Sequence, residues 1–208
     1  MQSGAGYTLI EILISMAIFV VIGGIAVFGF RGASQVNTIR QNAEAFVSDL
    51  HRLQTLALNG GGVMTCSTQT PLVACAGNDE CASGECNTLA SPPGGFGVVI
   101  NGDNQSYTLF AEMTAVDANP ADFNSGTDPL LQAGQVTLND DVEFSSVSYS
   151  DAGASAVTFQ TLRGTASSDA TFCFSRPGIT GIFQMVKVIG AVGLIQSTSI
   201  RGDQCPPP

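Results

Sequence analysis

Residues 6–15, GYTLIEILIS, run without a break into residues 16–30, MAIFVVIGGIAVFGF. Glu11 is the single charged residue of the first 30, and residues 12–30 hold none. Nineteen residues at a rise of about 1.5 Å come close to spanning a hydrocarbon core of ~30 Å. A carboxylate inside such a segment costs roughly 2.5–3.5 kcal/mol on insertion scales, so its presence demands a reason. A secretory signal peptide is a poor reading. No basic residue precedes the apolar run and no small-residue cleavage site follows it.

The apolar pattern continues beyond the run in a different form. Val36, Ile39, Ala43, Phe46, Leu50, Leu53 and Ala57 recur at intervals of three or four with polar residues between them. That spacing is one stripe of an amphipathic helix. No proline occurs before Pro71, and the first strong stop is Gly60-Gly61-Gly62. The reading is one nearly continuous helix over residues 7–58, on the order of 78 Å long. Its first half suits lipid or a bundle of like helices, and its second half offers an apolar face to a globular domain. Gly23, Gly24, Gly29 and Gly32 weaken its interior by about 1 kcal/mol each. They serve either close helix packing or a stretch that can melt and extend.

Charge divides the chain in the same place. Up to residue 58, Arg31, Arg40 and Arg52 balance Glu11, Glu44 and Asp49, so the net charge of −10 falls wholly in residues 59–208. Such a surface repels phosphate backbones and argues against nucleic-acid binding.

Six cysteines all lie in this acidic part. Cys66, Cys75, Cys81 and Cys86 follow a C-x8-C-x5-C-x4-C spacing within a Gly/Ser/Thr-rich loop, residues 62–92, while Cys173 and Cys205 stand apart. Zinc favours C-x2-4-C pairs, which only Cys81 and Cys86 approach. The assignment is therefore three disulfides, with zinc or free thiols as the alternatives. Cys173 is expected to pair with Cys205, and the first four among themselves in an order the sequence leaves open.

From Gly95 onward the chain reads as about eight strands without a helix. FGVVI and YTLFAEM flank the turn NGDNQ, and QVTL and VEFSSVSY follow. AVTFQTL alternates, ATFCFS comes next, and FQMVKVI and VGLIQST are joined at Gly190-Ala191 by an expected type II′ turn. The expected fold class is α+β, a long N-terminal helix packed on an antiparallel β-sheet domain.

Little points to catalysis, and no enzyme activity is expected. His51 is the single histidine, on the helix, and there is no G-x-S-x-G elbow, P-loop or G-x-G-x-x-G. Asp117, Asn119, Asp122, Asn124 and Asp128 form an oxygen-rich loop. Its spacing is not that of an EF-hand, which leaves a solvated loop or a weak calcium site as readings. No other cofactor is implied.

Gly6 followed by Tyr7-Thr8-Leu9-Ile10-Glu11 and the hydrophobic run resembles the processing signal of type IV prepilins and type II secretion pseudopilins. The stretch NAEAFVSDLHRLQTLAL and the segment VTFQTLRGTASSDATFCFS resemble the GspH/FimT group of minor pseudopilins. The resemblance implies a leader of residues 1–6, removed by a membrane prepilin peptidase that cuts between Gly6 and Tyr7 and methylates Tyr7. It implies a helix of residues 7–58 and a globular domain of residues 59–208. Glu11 would become the fifth mature residue and pair with the N-terminal amine of a neighbouring subunit. The implied partners are other pilins or pseudopilins, the peptidase, an inner-membrane assembly platform and membrane lipid. The implied location is the bacterial inner membrane, with a single span and a periplasmic domain. A minor subunit near the tip of a pseudopilus or pilus is the leading expectation. A major pilin, and a membrane-anchored binding module that never polymerises, are the alternatives.

Overall fold

The computed structural model describes residues 9–66, 75, 81, 85–88, 91–113, 123–125, 128–139, 141–151, 153–202 and 205, leaving aside the side chains of 25–33, 88 and 132–134. One helix, α1 (Leu9–Leu58), precedes ten strands among these residues. They are β1 (Met64–Cys66), β2 (Cys86–Thr88), β3 (Gly95–Ile100), β4 (Ser106–Glu112), β5 (Leu130–Thr137), β6 (Glu143–Tyr149), β7 (Ala156–Phe159), β8 (Ala170–Ser175), β9 (Ile182–Ile189) and β10 (Leu194–Arg201). The chain forms two compact units, Met1–Thr38 and Ile39–Pro208.

In the second unit, the stripe of α1 is its buried face. Ile39, Ala43, Phe46, Leu50, Leu53 and Ala57 are each at most 1% exposed. Val36, expected to open this stripe, is instead 38% exposed and falls in the first unit. Periodicity marks a face of a helix; it does not mark where the cover over that face begins. The helix ends as the glycine run predicts. Gly60 takes a left-handed conformation (φ 60°), its N–H donates to the Ala57 carbonyl at 3.2 Å, and the Gly61 N–H donates to the Leu56 carbonyl at 3.1 Å. This pair of bonds is a Schellman cap, satisfying carbonyls the helix leaves open.

The eight strands from β3 onward build two antiparallel four-stranded sheets, ordered β5-β4-β3-β7 and β10-β9-β8-β6. The chain changes sheet at each connection from β5 to β8. Phe46 on the helix meets both sheets at once, standing edge-on to Tyr107 of β4 (4.9 Å between centroids) and to Phe172 of β8 (4.9 Å). Phe144 and Phe174 complete the ring cluster at 5.6 and 5.5 Å. Alternating strands and one helical stripe thus share a single core.

Three local expectations change. β7 stops at Phe159 and all four of its residues are buried, so AVTFQTL neither alternates nor extends to Leu162. The chain turns instead at Gln160–Gly164, where the Gly164 N–H donates to the Gln160 carbonyl at 2.9 Å. The β9–β10 connection is not a type II′ turn but a 3-10 turn, Gly190–Val192, closed by Gly193 at φ 63°. Packing selects that form: Gln54 of α1 donates to the Gly193 carbonyl at 2.7 Å, and the Gly190 N–H donates to Asp169 at 2.6 Å. The cysteine-rich loop carries a ribbon of its own, β1 against β2, with Cys66 opposite Cys86.

Polar groups fix the helix to the sheets at three levels. Asn42 accepts the Asn139 N–H at 2.8 Å and donates to the Asn139 carbonyl at 3.3 Å. The Tyr107 hydroxyl donates to Asp49 at 2.6 Å, and Gln54 also donates to the Gly164 carbonyl at 3.0 Å. Burial, and then the hydrogen bond to Asp49, hold the Tyr107 hydroxyl protonated far above its ordinary range. Burial pushes Tyr149 up to about 12. Unfolded tyrosine ionises near pH ~10. The stability from these two groups is therefore complete below pH ~10 and is lost as pH rises, because the unfolded chain releases its protons first. In a Tyr7→Phe background, phenolate absorbance should appear together with loss of circular dichroism above pH ~10. Phenolate absorbance preceding any structural change would contradict this placement of both rings.

Candidate functional site

The first unit presents the Glu11 region. From Leu9 to Gly24 every residue of α1 is exposed on every side, Leu9 by 78% and Phe19 by 77%. A helix that is apolar all round is stable only when something else covers it. Glu11 lies in the first turn, where the helix dipole favours an anion. The Ser15 hydroxyl donates back to the Glu11 carbonyl at 2.8 Å, so that polar group is satisfied along the helix. The Glu11 carboxylate makes no ion pair among the described residues. Helical spacing sets Ser15 and Phe19 on the same face. An anion in such a coat is tolerated once a cation sits beside it. A β-carbon added at Gly23 or Gly24 would meet nothing within 4 Å, so no contact among the described residues accounts for either glycine.

Gly6 and Tyr7, the expected cleavage and methylation residues, lie outside the described residues. Among the described residues no helix is long and apolar enough to cross a membrane. The described side chains of the apolar run end at Gly24, and those of residues 25–33 lie beyond them.

The cysteines of the second unit are joined in three disulfides: Cys66–Cys81, Cys75–Cys86 and Cys173–Cys205. The first two pairs cross, and the sulfurs of Cys66, Cys75 and Cys81 lie within 4.8 Å of one another. Zinc binds thiolates, and a disulfide sulfur offers none. The two bridges form a small buried cluster of their own beside the β1–β2 ribbon. A segment too polar to build a core is thereby closed covalently; bridges of this kind stabilise by typically 2–4 kcal/mol each. Cys173, fully buried in β8, holds Cys205 beyond the end of β10.

Of the oxygen-rich loop, Asp117, Asn119 and Asp122 lie outside the described residues. Asp128 is fully buried, and its carboxylate accepts the Asn124 N–H at 2.7 Å and the Met113 N–H at 3.1 Å. It clamps the two ends of the connection between β4 and β5. His51 is exposed on α1, and its carbonyl accepts the Thr55 hydroxyl at 2.8 Å. The residues that sequence reasoning passes over are the fastenings Asn42, Asp49 and Gln54. Their only signal is that each flanks the apolar stripe.

Residues 1–27 match the family described as the prokaryotic N-terminal methylation motif, which supports a type IV pilin-like or pseudopilin protein. No curated protein and no solved structure matches the chain.

Proposed function

We propose that the chain is a minor pseudopilin or minor pilin, a structural and non-enzymatic subunit. It assembles through α1 into a type II secretion pseudopilus or type IV pilus, close to the tip. The observation that carries this reading is the apolar surface of Leu9–Gly24, exposed on every side and interrupted by one carboxylate. Lipid covers that surface before assembly, and the helices of neighbouring subunits cover it afterwards. The chain crosses the inner membrane once through this run, with residues 59–208 on the periplasmic side. The three disulfides support an oxidising compartment. A prepilin peptidase cuts after Gly6 and methylates Tyr7, and an inner-membrane assembly platform receives the product. Glu11 then pairs with the Tyr7 amine of a neighbour, which removes the penalty of an isolated anion in lipid. Charged residues make up only 12% of the chain, and the cysteine-rich insert adds a specialised surface; both favour a low-copy subunit over a major pilin.

Processing is the direct test. Intact-mass measurement and N-terminal sequencing of protein from its native membrane should find residues 1–6 missing and Tyr7 methylated. Met1 retained in cells with an active prepilin peptidase would sink the proposal.

A further inference from the structure

Five large apolar side chains of the second unit are exposed among its described residues: Leu58, Met64, Leu162, Val192 and Leu194. Four of them converge at the C-terminal end of α1. A β-carbon added at Gly60 would lie 3.1 Å from the Leu162 side chain, and one at Gly164 would lie 2.7 Å from that of Leu58. Val192 and Leu194 flank Gly193, whose carbonyl shares the Gln54 amide with that of Gly164.

Leu162 is the decisive member. It is 74% exposed and sits at φ 64°, a region that a bulky side chain rarely occupies. Glycine or asparagine would hold that turn without the strain. The loop is nonetheless firmly tied. The Leu162 N–H donates to the Ala57 carbonyl at 2.8 Å, and the Thr161 hydroxyl donates to the Pro92 carbonyl at 2.7 Å. The fold thus tolerates both backbone strain and an uncovered leucine at one rigid point. Strain held in this way is a mark of functional surfaces.

We infer that Leu58, Leu162, Val192 and Leu194 form a docking surface for a different subunit of the same filament, one presenting aliphatic side chains beside carboxylates. This rests on the assembly role proposed above. Charge selects the occupant. Arg163 is the single charged residue within 58–62, 160–164 and 190–194, in a part of the chain whose net charge is −10, and the Asp169 carboxylate at this turn accepts the Gly190 N–H. A carboxylate-bearing partner complements it. A second copy docked patch to patch would set Arg163 against Arg163 between two acidic domains.

The test is Leu162→Gly in the full chain, expressed in its native membrane beside wild type. Glycine removes the side chain and accepts the backbone, so folding stability should hold or rise. Co-purification with sheared filaments should fall by about tenfold or more, as for a central interface anchor. Arg163→Glu should fall as well. A photo-reactive residue at position 192 should yield adducts with another filament subunit. Wild-type incorporation of Leu162→Gly would overturn the docking surface while leaving the assembly role intact. Adducts formed only between copies of this chain would overturn the occupant. Absence of the wild-type chain from filaments would overturn both.

Discussion

Glu11→Gln should reach the membrane at wild-type abundance or above it and be depleted from sheared filaments by a hundredfold or more. Glutamine keeps the size and polarity of the side chain and removes its charge, so insertion becomes slightly easier. On the pairing proposed above, the neighbour's amine then faces no counter-charge in a low-dielectric setting. Breaking one side of a buried pair costs ~3–5 kcal/mol, and ~1.4 kcal/mol corresponds to tenfold. The comparison is made at equal membrane abundance. Normal incorporation of Glu11→Gln would leave the carboxylate a role in peptidase recognition, or none beyond snorkelling to the interface.

Phe46→Ala should destabilise the globular unit by roughly 3–5 kcal/mol, the range for truncating a buried phenylalanine. That is a large share of a total stability of about 5–15 kcal/mol. Phe46 is fully buried and stands edge-on to four aromatic rings drawn from both sheets. Alanine is the better helix former, so any loss comes from packing. Urea denaturation reads the change directly. Val36→Ala, at a site that is 38% exposed, should stay within about 0.5 kcal/mol and serves as the control. A loss below ~1 kcal/mol at Phe46 would mean that the two sheets close on each other without the helix.

The helix was legible because each of its signals is local: an apolar period from Ile39 to Ala57 and a glycine stop that closes at Gly60. The strands from β3 to β10 were legible for the same reason, as apolar runs bounded by turn residues. What escaped depends on contacts distant in the chain. Gly190-Ala191 reads as a hairpin turn in isolation, but Gln54, 139 residues away, holds Gly193 in another form. AVTFQTL reads as one strand, yet both faces of its first four residues are covered and its last three turn away. The crossed pairing of Cys66 with Cys81 and Cys75 with Cys86 was open because spacing alone ranks no connectivity. Glu11 is legible in the sequence as a lone carboxylate at the head of an apolar run. Leu162 is not, because nothing in the letters QTLRG announces a left-handed backbone or an uncovered side chain.

The three-level fastening of α1 has a mechanical consequence. Asn42, Asp49 and Gln54 tie successive turns of the helix to a loop, a strand and a turn. Tension entering the globular unit along the helix axis at Ile39 loads these bonds, and the buried stripe between them, in parallel. They must shear together, since no single end can be peeled away first. Gly23 and Gly24 have no such fastening among the described residues, and each weakens the helix by about 1 kcal/mol.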